Sequence, residues 1–200
     1  MKRYLKSGQI DVDCKGRGNW TALALASFFG KHDFVDLLLQ YKADVNVRFG
    51  SDLQTCLHIA CYFDDCGLIS LLSKTGYLDL NLRDGKDRSA LDYCVYYGST
   101  NCFELLMDME AETSSLTLFY ALKRKRTFEV GILCSYGNAM EQTYDTYIAD
   151  QGEFVRGRRR AILVAAQNGF DEALVKIVVN LDIAFEEFDG IFIRPAHGIL

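Results

Sequence analysis

Residues 55–64 read TCLHIACYFD, and this stretch decides the fold. The same pattern begins 34 residues earlier as TALALASFFG (21–30) and 34 residues later as SALDYCVYYG (89–98). After each stretch comes a second apolar segment whose residues recur at i, i+1, i+3 and i+4, which places one apolar stripe along a helix. The sequence therefore predicts tandem units, each made of two short helices.

The turns and loops between these helices are also visible in the sequence. The two helices of a unit meet at Gly30, Asp64 or Gly98. Glycine readily adopts the left-handed backbone angles of a tight turn, and Asp tolerates them. The units end in KADVN (42–46) and GYLDLN (76–81), and a polar stretch with glycine follows, which predicts a protruding hairpin loop.

These motifs resemble those of ankyrin repeats. TCLHIA resembles the family signature TPLHxA, and KADVN resembles the family's GADVN. The match covers roughly residues 5–139 and resumes at Arg160 with RAILVAAQNG. The resemblance implies an all-α fold, a right-handed ankyrin-repeat solenoid of paired antiparallel helices with short hairpin loops. It also implies binding of another protein on the concave face and the loop tips.

The repeat pattern divides the chain into three parts. Residues 1–139 are predicted as repeats one to four, with the first partial and the fourth degenerate, since Ala121 follows Cys94 by 27 residues instead of 34. Residues 140–157 are predicted as an irregular insertion, and residues 158–200 as a fifth repeat and the start of a sixth. The chain opens and stops within a unit, and no polar capping unit is visible at its end, which favours a piece of a longer array.

Composition restricts the class of protein. The 200 residues are 50% hydrophobic and carry a net charge of −5, whereas coating nucleic acid needs a basic face. No apolar run approaches the roughly 18–20 residues of a membrane span. The 7 cysteines include no CxxC pair, and the spacing of Cys61 and Cys66 matches no common zinc or redox motif. They are typical of reduced, buried thiols, so we expect an intracellular monomer, cytoplasmic or nuclear.

Catalytic motifs are absent from the sequence. It contains no GxSxG and no GxxxxGK[ST], and Gly16-Arg17-Gly18 lacks a third glycine. His58 and His197 occupy the signature histidine position, and no Asp, Glu or Cys lies at ligand spacing around either. The family resemblance implies that this histidine hydrogen-bonds the neighbouring loop. We therefore predict no enzymatic activity and no cofactor.

An aromatic pair ends the first helix of each of the first three units, and in the ankyrin pattern these positions face the concave groove. The pairs are Phe28-Phe29, Tyr62-Phe63 and Tyr96-Tyr97. Adjacent helical residues point about 100° apart, so we expect one member of each pair to pack and Phe29, Phe63 and Tyr97 to be exposed. The predicted partner-binding set also includes residues of the loops, namely Arg17, Trp20, Arg48, Phe49, Lys86 and Arg88.

Asn46 and Asn81 precede the hairpin loops. Each side chain is expected to fix its loop by bonding backbone groups. The family resemblance offers a second role for Asn46, hydroxylation by the oxygen-sensing dioxygenase of animals, because Leu38 and Asp44 lie eight and two residues before it.

Two basic clusters lie late in the chain. The first is Lys123, Arg124, Lys125 and Arg126, and the second is Arg156, Arg158, Arg159 and Arg160. The four-residue run is either a nuclear import signal, a patch for an acidic partner, or a solvated turn between two helices.

The sequence thus favours a non-catalytic interaction module, a scaffold or adaptor that binds a partner protein. Two alternatives remain: a regulatory or targeting portion of a larger enzyme or channel, and a nuclear cofactor that uses the basic clusters. Leu57, Leu71, Leu91 and Leu105 are predicted to lie in the core.

Overall fold

Eight α-helices follow one another in four antiparallel pairs within residues 11–135. The computed structural model describes residues 11–135, 145–148 and 153–156. The helices are α1 (Ala22–Phe28), α2 (His32–Gln40), α3 (Cys56–Phe63), α4 (Cys66–Ser73), α5 (Ala90–Tyr97), α6 (Thr100–Asp108), α7 (Ser115–Lys123) and α8 (Thr127–Ser135). A 3-10 turn, Arg17–Asn19, precedes α1.

The turns predicted from the sequence are confirmed. Gly30, Asp64 and Gly98 all have a positive φ, of 61°, 56° and 84°, within two residues of the end of the first helix of their units. Lys125 takes the same place after α7, with a φ of 57°. At Gly98 a Cβ atom would displace the Arg126 guanidinium, which ends a flexible side chain and can move aside, so it is the left-handed backbone that favours glycine here.

Short hairpin loops project between the first three units. Residues 41–55 separate α2 from α3, and residues 74–89 separate α4 from α5. The first loop is closed by two backbone hydrogen bonds between Phe49 and Gln54, of 2.9 and 3.0 Å. Only residues 109–114 separate α6 from α7, so the fourth unit lacks a hairpin, which explains its shorter period.

The core prediction holds for the first helices and is wrong for the second. Leu57 and Leu91 are buried, as expected. Leu71 and Leu105 are only partly buried, whereas Leu72 and Leu106, one residue later, are fully enclosed. An i, i+1, i+3, i+4 stripe is wide, and adjacent residues point about 100° apart, so residues at its edge are less covered than residues at its centre.

The segment 140–157, predicted to be irregular, contains a β-hairpin. Strands β1 (Asp145–Ile148) and β2 (Glu153–Arg156) pair antiparallel, with Tyr147 opposite Phe154. The strands are rich in β-branched and aromatic residues, which favour extended structure.

Several predictions lie outside the described residues. They are the fifth repeat from Arg160, the sixth from Arg194 with His197, and the Arg158, Arg159 and Arg160 cluster. Where the structure does describe helices, none has the length and apolar character needed to cross a membrane.

Candidate protein-binding surface

The aromatic pairs are more exposed than predicted. Five of the six side chains are between 42% and 64% exposed: Phe28, Phe29, Tyr62, Phe63 and Tyr97. Tyr96 is partly buried. The expectation that one member of each pair packs is therefore wrong for the first two pairs. The aromatic rings of adjacent units contact these side chains edge to face and leave much of their surface exposed.

Contacts between these rings run continuously across the units. Phe28 meets Phe63 of the next unit at 5.5 Å between ring centroids, and Tyr62 meets Tyr97 at 4.6 Å. Tyr96 then meets buried Tyr120 of the fourth unit at 5.3 Å. Such edge-to-face pairs contribute about 0.5–1.5 kcal/mol each beyond their burial. We call this surface the aromatic row, formed by Trp20, Phe28, Phe29, Tyr62, Phe63, Tyr96, Tyr97 and Tyr120.

An open cleft of about 200 Å³ lies at the middle of the aromatic row. The residues that line it come from the loops and first helices of the first three units, and they are Phe28, Gln54, His58, Ile59, Tyr62, Phe63, Tyr93 and Tyr97. Its lining is mostly apolar with a few polar side chains.

His58 has the structural role that the family resemblance implied. The Thr55 backbone N–H donates to His58 Nδ1 at 3.2 Å, so Nε2 carries the proton and donates to the Arg88 carbonyl oxygen at 3.0 Å. This bond joins the second unit to the hairpin loop of the third. Burial lowers the pKa of His58 below its usual 6.5, which keeps the imidazole neutral.

Arg88 was predicted to contact a partner, and this prediction is wrong. Its guanidinium is buried and donates to Asp84 Oδ2 from Nε at 2.9 Å and from Nη2 at 2.7 Å. The Tyr93 hydroxyl donates to the same oxygen at 2.8 Å, and Gln54 Nε2 donates to Tyr93 Oη at 2.7 Å. Burial acts to raise the pKa of Asp84, but the hydrogen bonds from Arg88 and Tyr93 outweigh it, and the pKa is lowered.

Phe49 was also predicted to contact a partner, and it is fully buried. The hairpin folds this ring inward against Trp20, 4.9 Å away between ring centroids. Trp20 itself is partly buried. Arg17, Arg48 and Lys86 are exposed, and none of them takes part in an ion pair with another residue that the structure describes.

The basic run forms the turn between α7 and α8. Lys123 ends α7, while Arg124 and Lys125 are exposed. The Arg124 guanidinium lies 3.9 Å from the centroid of the Tyr96 ring, a cation–π contact. The run is therefore attached to one end of the aromatic row, a connection that spacing in the sequence did not indicate.

The Asn46 side chain hydrogen-bonds backbone groups, as expected, but these groups belong to the loop of the next unit. Its Oδ1 accepts from the Asp79 N–H at 2.9 Å and its Nδ2 donates to the Tyr77 carbonyl oxygen at 2.8 Å. Asn81 repeats the contact one unit later, where its Oδ1 accepts from the Glu112 N–H at 2.9 Å. These asparagines therefore fix the spacing between successive loops.

The helix pairs are joined by left-handed turns, and the same asparagine contact recurs from one loop to the next. These features define the class as a helical solenoid. The family model described as Ankyrin repeats (many copies) matches residues 22–73. The crystal structure of the ankyrin repeat domain of Bcl-3, a member of the IkappaB protein family, superimposes with a TM-score of 0.68 at 20% identity, over 90% of this chain and 77% of that one. The chain therefore has the all-α ankyrin-repeat fold, and its residues 22–73 match the ankyrin-repeat family.

Curated relatives match over short stretches. E3 ubiquitin-protein ligase Ufd4 of Drosophila melanogaster is 37% identical over 87 residues, which are 43% of this chain and 3% of that protein. Inactive serine/threonine-protein kinase TEX14 of Bos taurus is 36% identical over 98 residues, which are 49% of this chain and 6% of that protein. The chain thus spans a small part of these relatives. Ankyrin repeats are generally protein–protein interaction modules and are typically non-catalytic.

Proposed function

We propose that this chain is a non-catalytic scaffold or adaptor that binds a partner protein on the aromatic row. The observation that carries the proposal is the set of five exposed aromatic side chains held in one continuous surface by ring contacts. Large exposed apolar patches mark interaction sites, and the residues that dominate binding are often aromatic. The rigid ring contacts also reduce the entropy that a partner must remove on binding.

Charge beside the aromatic row specifies the partner further. Arg17, Arg48 and Lys86 are exposed on the loops, and Arg124 and Lys125 are exposed at the far end of the row. A partner with acidic residues next to apolar ones would match both features. Such charges mainly raise the association rate and orient the partner, so the association rate should fall as salt is added.

A capture experiment tests the proposal. The full chain and its Phe28→Ala/Phe63→Ala variant are used to capture proteins from cells that express the chain, with mass spectrometry as the readout. The matched control is Phe34→Ala/Tyr77→Ala, because these rings are exposed to a similar extent but make no ring contact with the aromatic row. We expect a partner that the wild type and the control capture and the Phe28/Phe63 variant loses. Equal capture by all three would contradict the proposed surface.

A second candidate function is that the repeats form the targeting or regulatory portion of a larger protein. It is favoured by the relatives, a ubiquitin ligase and an inactive kinase, in which the matching segment is 3% and 6% of the length. An antibody raised against residues 22–73 tests it by immunoblotting of cell extracts. A band far larger than a 200-residue chain supports this candidate, and a single band at that size contradicts it.

Three narrower proposals accompany the main one. The chain is monomeric and resides in the cytoplasm or nucleus, a setting in which free thiols persist.

The basic run acts in nuclear import, which is tested by locating a tagged chain with and without residues 123–126. Asn46 is hydroxylated, which is tested by the intact mass after incubation with an asparagine-hydroxylating dioxygenase, compared with Asn46→Ala.

A further inference from the structure

Units two and three bring four cysteine thiols together. Cys61 and Cys66 come from the second unit, and Cys94 and Cys102 from the third. The Cys66 and Cys102 Sγ atoms lie 3.7 Å apart, and burial raises the pKa of the Cys61 and Cys94 thiols. All are free thiols. The partner-binding surface proposed above uses none of them.

A carboxylate completes one end of this cluster. The ligand atoms of Asp64, Cys66 and Cys102 all lie within 4.8 Å of one another. Asp64 Oδ1 accepts from the Cys102 N–H at 2.9 Å, and Oδ2 accepts from Asn101 Nδ2 at 2.6 Å. These bonds orient the carboxylate, and each oxygen keeps a further lone pair for a ligand.

The spacing of the two sulfur atoms suits one class of cation. Two thiolates bound tetrahedrally to zinc at about 2.3 Å are separated by about 3.8 Å. The observed 3.7 Å between Cys66 and Cys102 is close to that value, so both sulfurs can bind one ion with little movement. Both residues also lie in the first turn of a helix, α4 and α6, so the two sulfur atoms meet where these helices begin.

We propose that Asp64, Cys66 and Cys102 form a binding site for a single Zn²⁺ ion, with two thiolate ligands and one carboxylate ligand. Asp64 and Cys66 are partly exposed, which gives the ion a path from solvent and leaves the fourth position to water. Binding releases two protons, one from each thiol, and transfers no electrons. Burial raises the pKa of the Cys102 thiol, so that thiol keeps its proton until the cation displaces it.

This site joins two units through side chains that are distant from each other in the sequence. Cys66 and Cys102 are 36 residues apart, so no compact ligand motif connects them. Bound Zn²⁺ would link the N-terminal end of α4 to that of α6. It would therefore stabilise the second and third units against each other, in proportion to the free Zn²⁺ concentration.

Cobalt titration of the full reduced chain tests the proposal, since Co²⁺ reports thiolate ligation by a charge-transfer band. We expect one Co²⁺ per chain, a thiolate band, and loss of the band when Zn²⁺ is added. Cys66→Ser should abolish the band, because Cys66 is partly exposed and its replacement leaves the fold intact. Asp64→Asn should weaken Zn²⁺ affinity by at least about tenfold, and Asn tolerates the left-handed backbone there.

Cys14→Ser is the matched control, because Cys14 is an exposed thiol far from the cluster in the sequence. It should leave the band and the stoichiometry unchanged. The melting curve of Cys66→Ser without metal verifies that the variant is folded. A reduced wild-type chain that gives no thiolate band would overturn the proposal. So would a band that survives Cys66→Ser or disappears in Cys14→Ser.

Discussion

The contact between units two and three differs from the contact between units three and four. His58 and Asp92 occupy the same position of successive units. His58 donates to the Arg88 carbonyl oxygen of the following hairpin loop at 3.0 Å. Asp92 instead accepts from the Thr117 hydroxyl of α7 at 2.6 Å, because no hairpin precedes α7.

The two units therefore share a polar contact at this position but not a residue type. A backbone carbonyl opposite the position requires a donor, which neutral imidazole provides. A hydroxyl opposite it is satisfied by an acceptor, which the Asp92 carboxyl provides. Asp92 is fully buried, and burial raises its pKa above the usual 3.8. The apolar packing, by contrast, continues in the same register through both contacts.

The largest expected difference between the two contacts comes from the buried ion pair of the hairpin. Arg88→Met leaves the Asp84 carboxylate buried without its cation. We expect the free energy of unfolding, measured by urea denaturation, to fall by about 3–5 kcal/mol. Arg48→Met is the control, and because Arg48 is exposed, the change should stay within about 0.5 kcal/mol. Equal effects at Arg88 and Arg48 would show that the ion pair does not stabilise the hairpin.

Truncation of a buried leucine should destabilise the chain equally in α4 and in α6. Leu72→Ala and Leu106→Ala each remove a fully buried side chain at equivalent positions of α4 and α6. Each should lower the free energy of unfolding by about 2–5 kcal/mol. The partly exposed neighbours provide controls, and Leu71→Ala and Leu105→Ala should cost clearly less. A larger loss at Leu71 than at Leu72 would mean that the buried face has been placed one residue too far along.

A smaller difference should appear in the pH dependence of stability. The folded-state pKa of His58 is lowered, so below pH 6.5 the unfolded chain binds a proton that the folded chain does not. The stability contributed by neutral His58 is present above pH 6.5 and is lost as the pH falls from there to the folded pKa. The slope of this loss cannot exceed about 1.4 kcal/mol per pH unit.

His58→Gln tests this prediction, because it removes the titrating group from that position. The difference between wild type and variant in urea denaturation should shrink as the pH falls below 6.5. Parallel curves for wild type and His58→Gln would contradict the lowered pKa of His58. The raised pKa of Asp92 acts in the opposite direction, because that stability is lost as the pH rises through its folded value.

Features that repeat along the chain could be predicted from the sequence, whereas those that depend on one contact could not. The helix pairs and their turns follow from residues such as Gly98, since left-handed positions restrict the residue type. The burial of Phe49 and Arg88 depends on how a hairpin folds back, which loop composition does not reveal. Likewise, the partner of Asp92 became predictable only once α7 was known to lack a hairpin. Cys66 and Cys102 meet across units, where no local spacing applies.

The most direct test of the central claim is the affinity of the purified partner for two matched variants. Phe63 and Phe34 are exposed to nearly the same extent, 49% and 47%, but only Phe63 belongs to the aromatic row. Calorimetry should show that Phe63→Ala weakens binding by about tenfold or more, equivalent to roughly 1.4 kcal/mol. Phe34→Ala should leave the affinity unchanged, and both variants should remain folded at the temperature of the measurement. Equal affinities for both variants, or a loss confined to Phe34→Ala, would contradict the assignment of the binding surface.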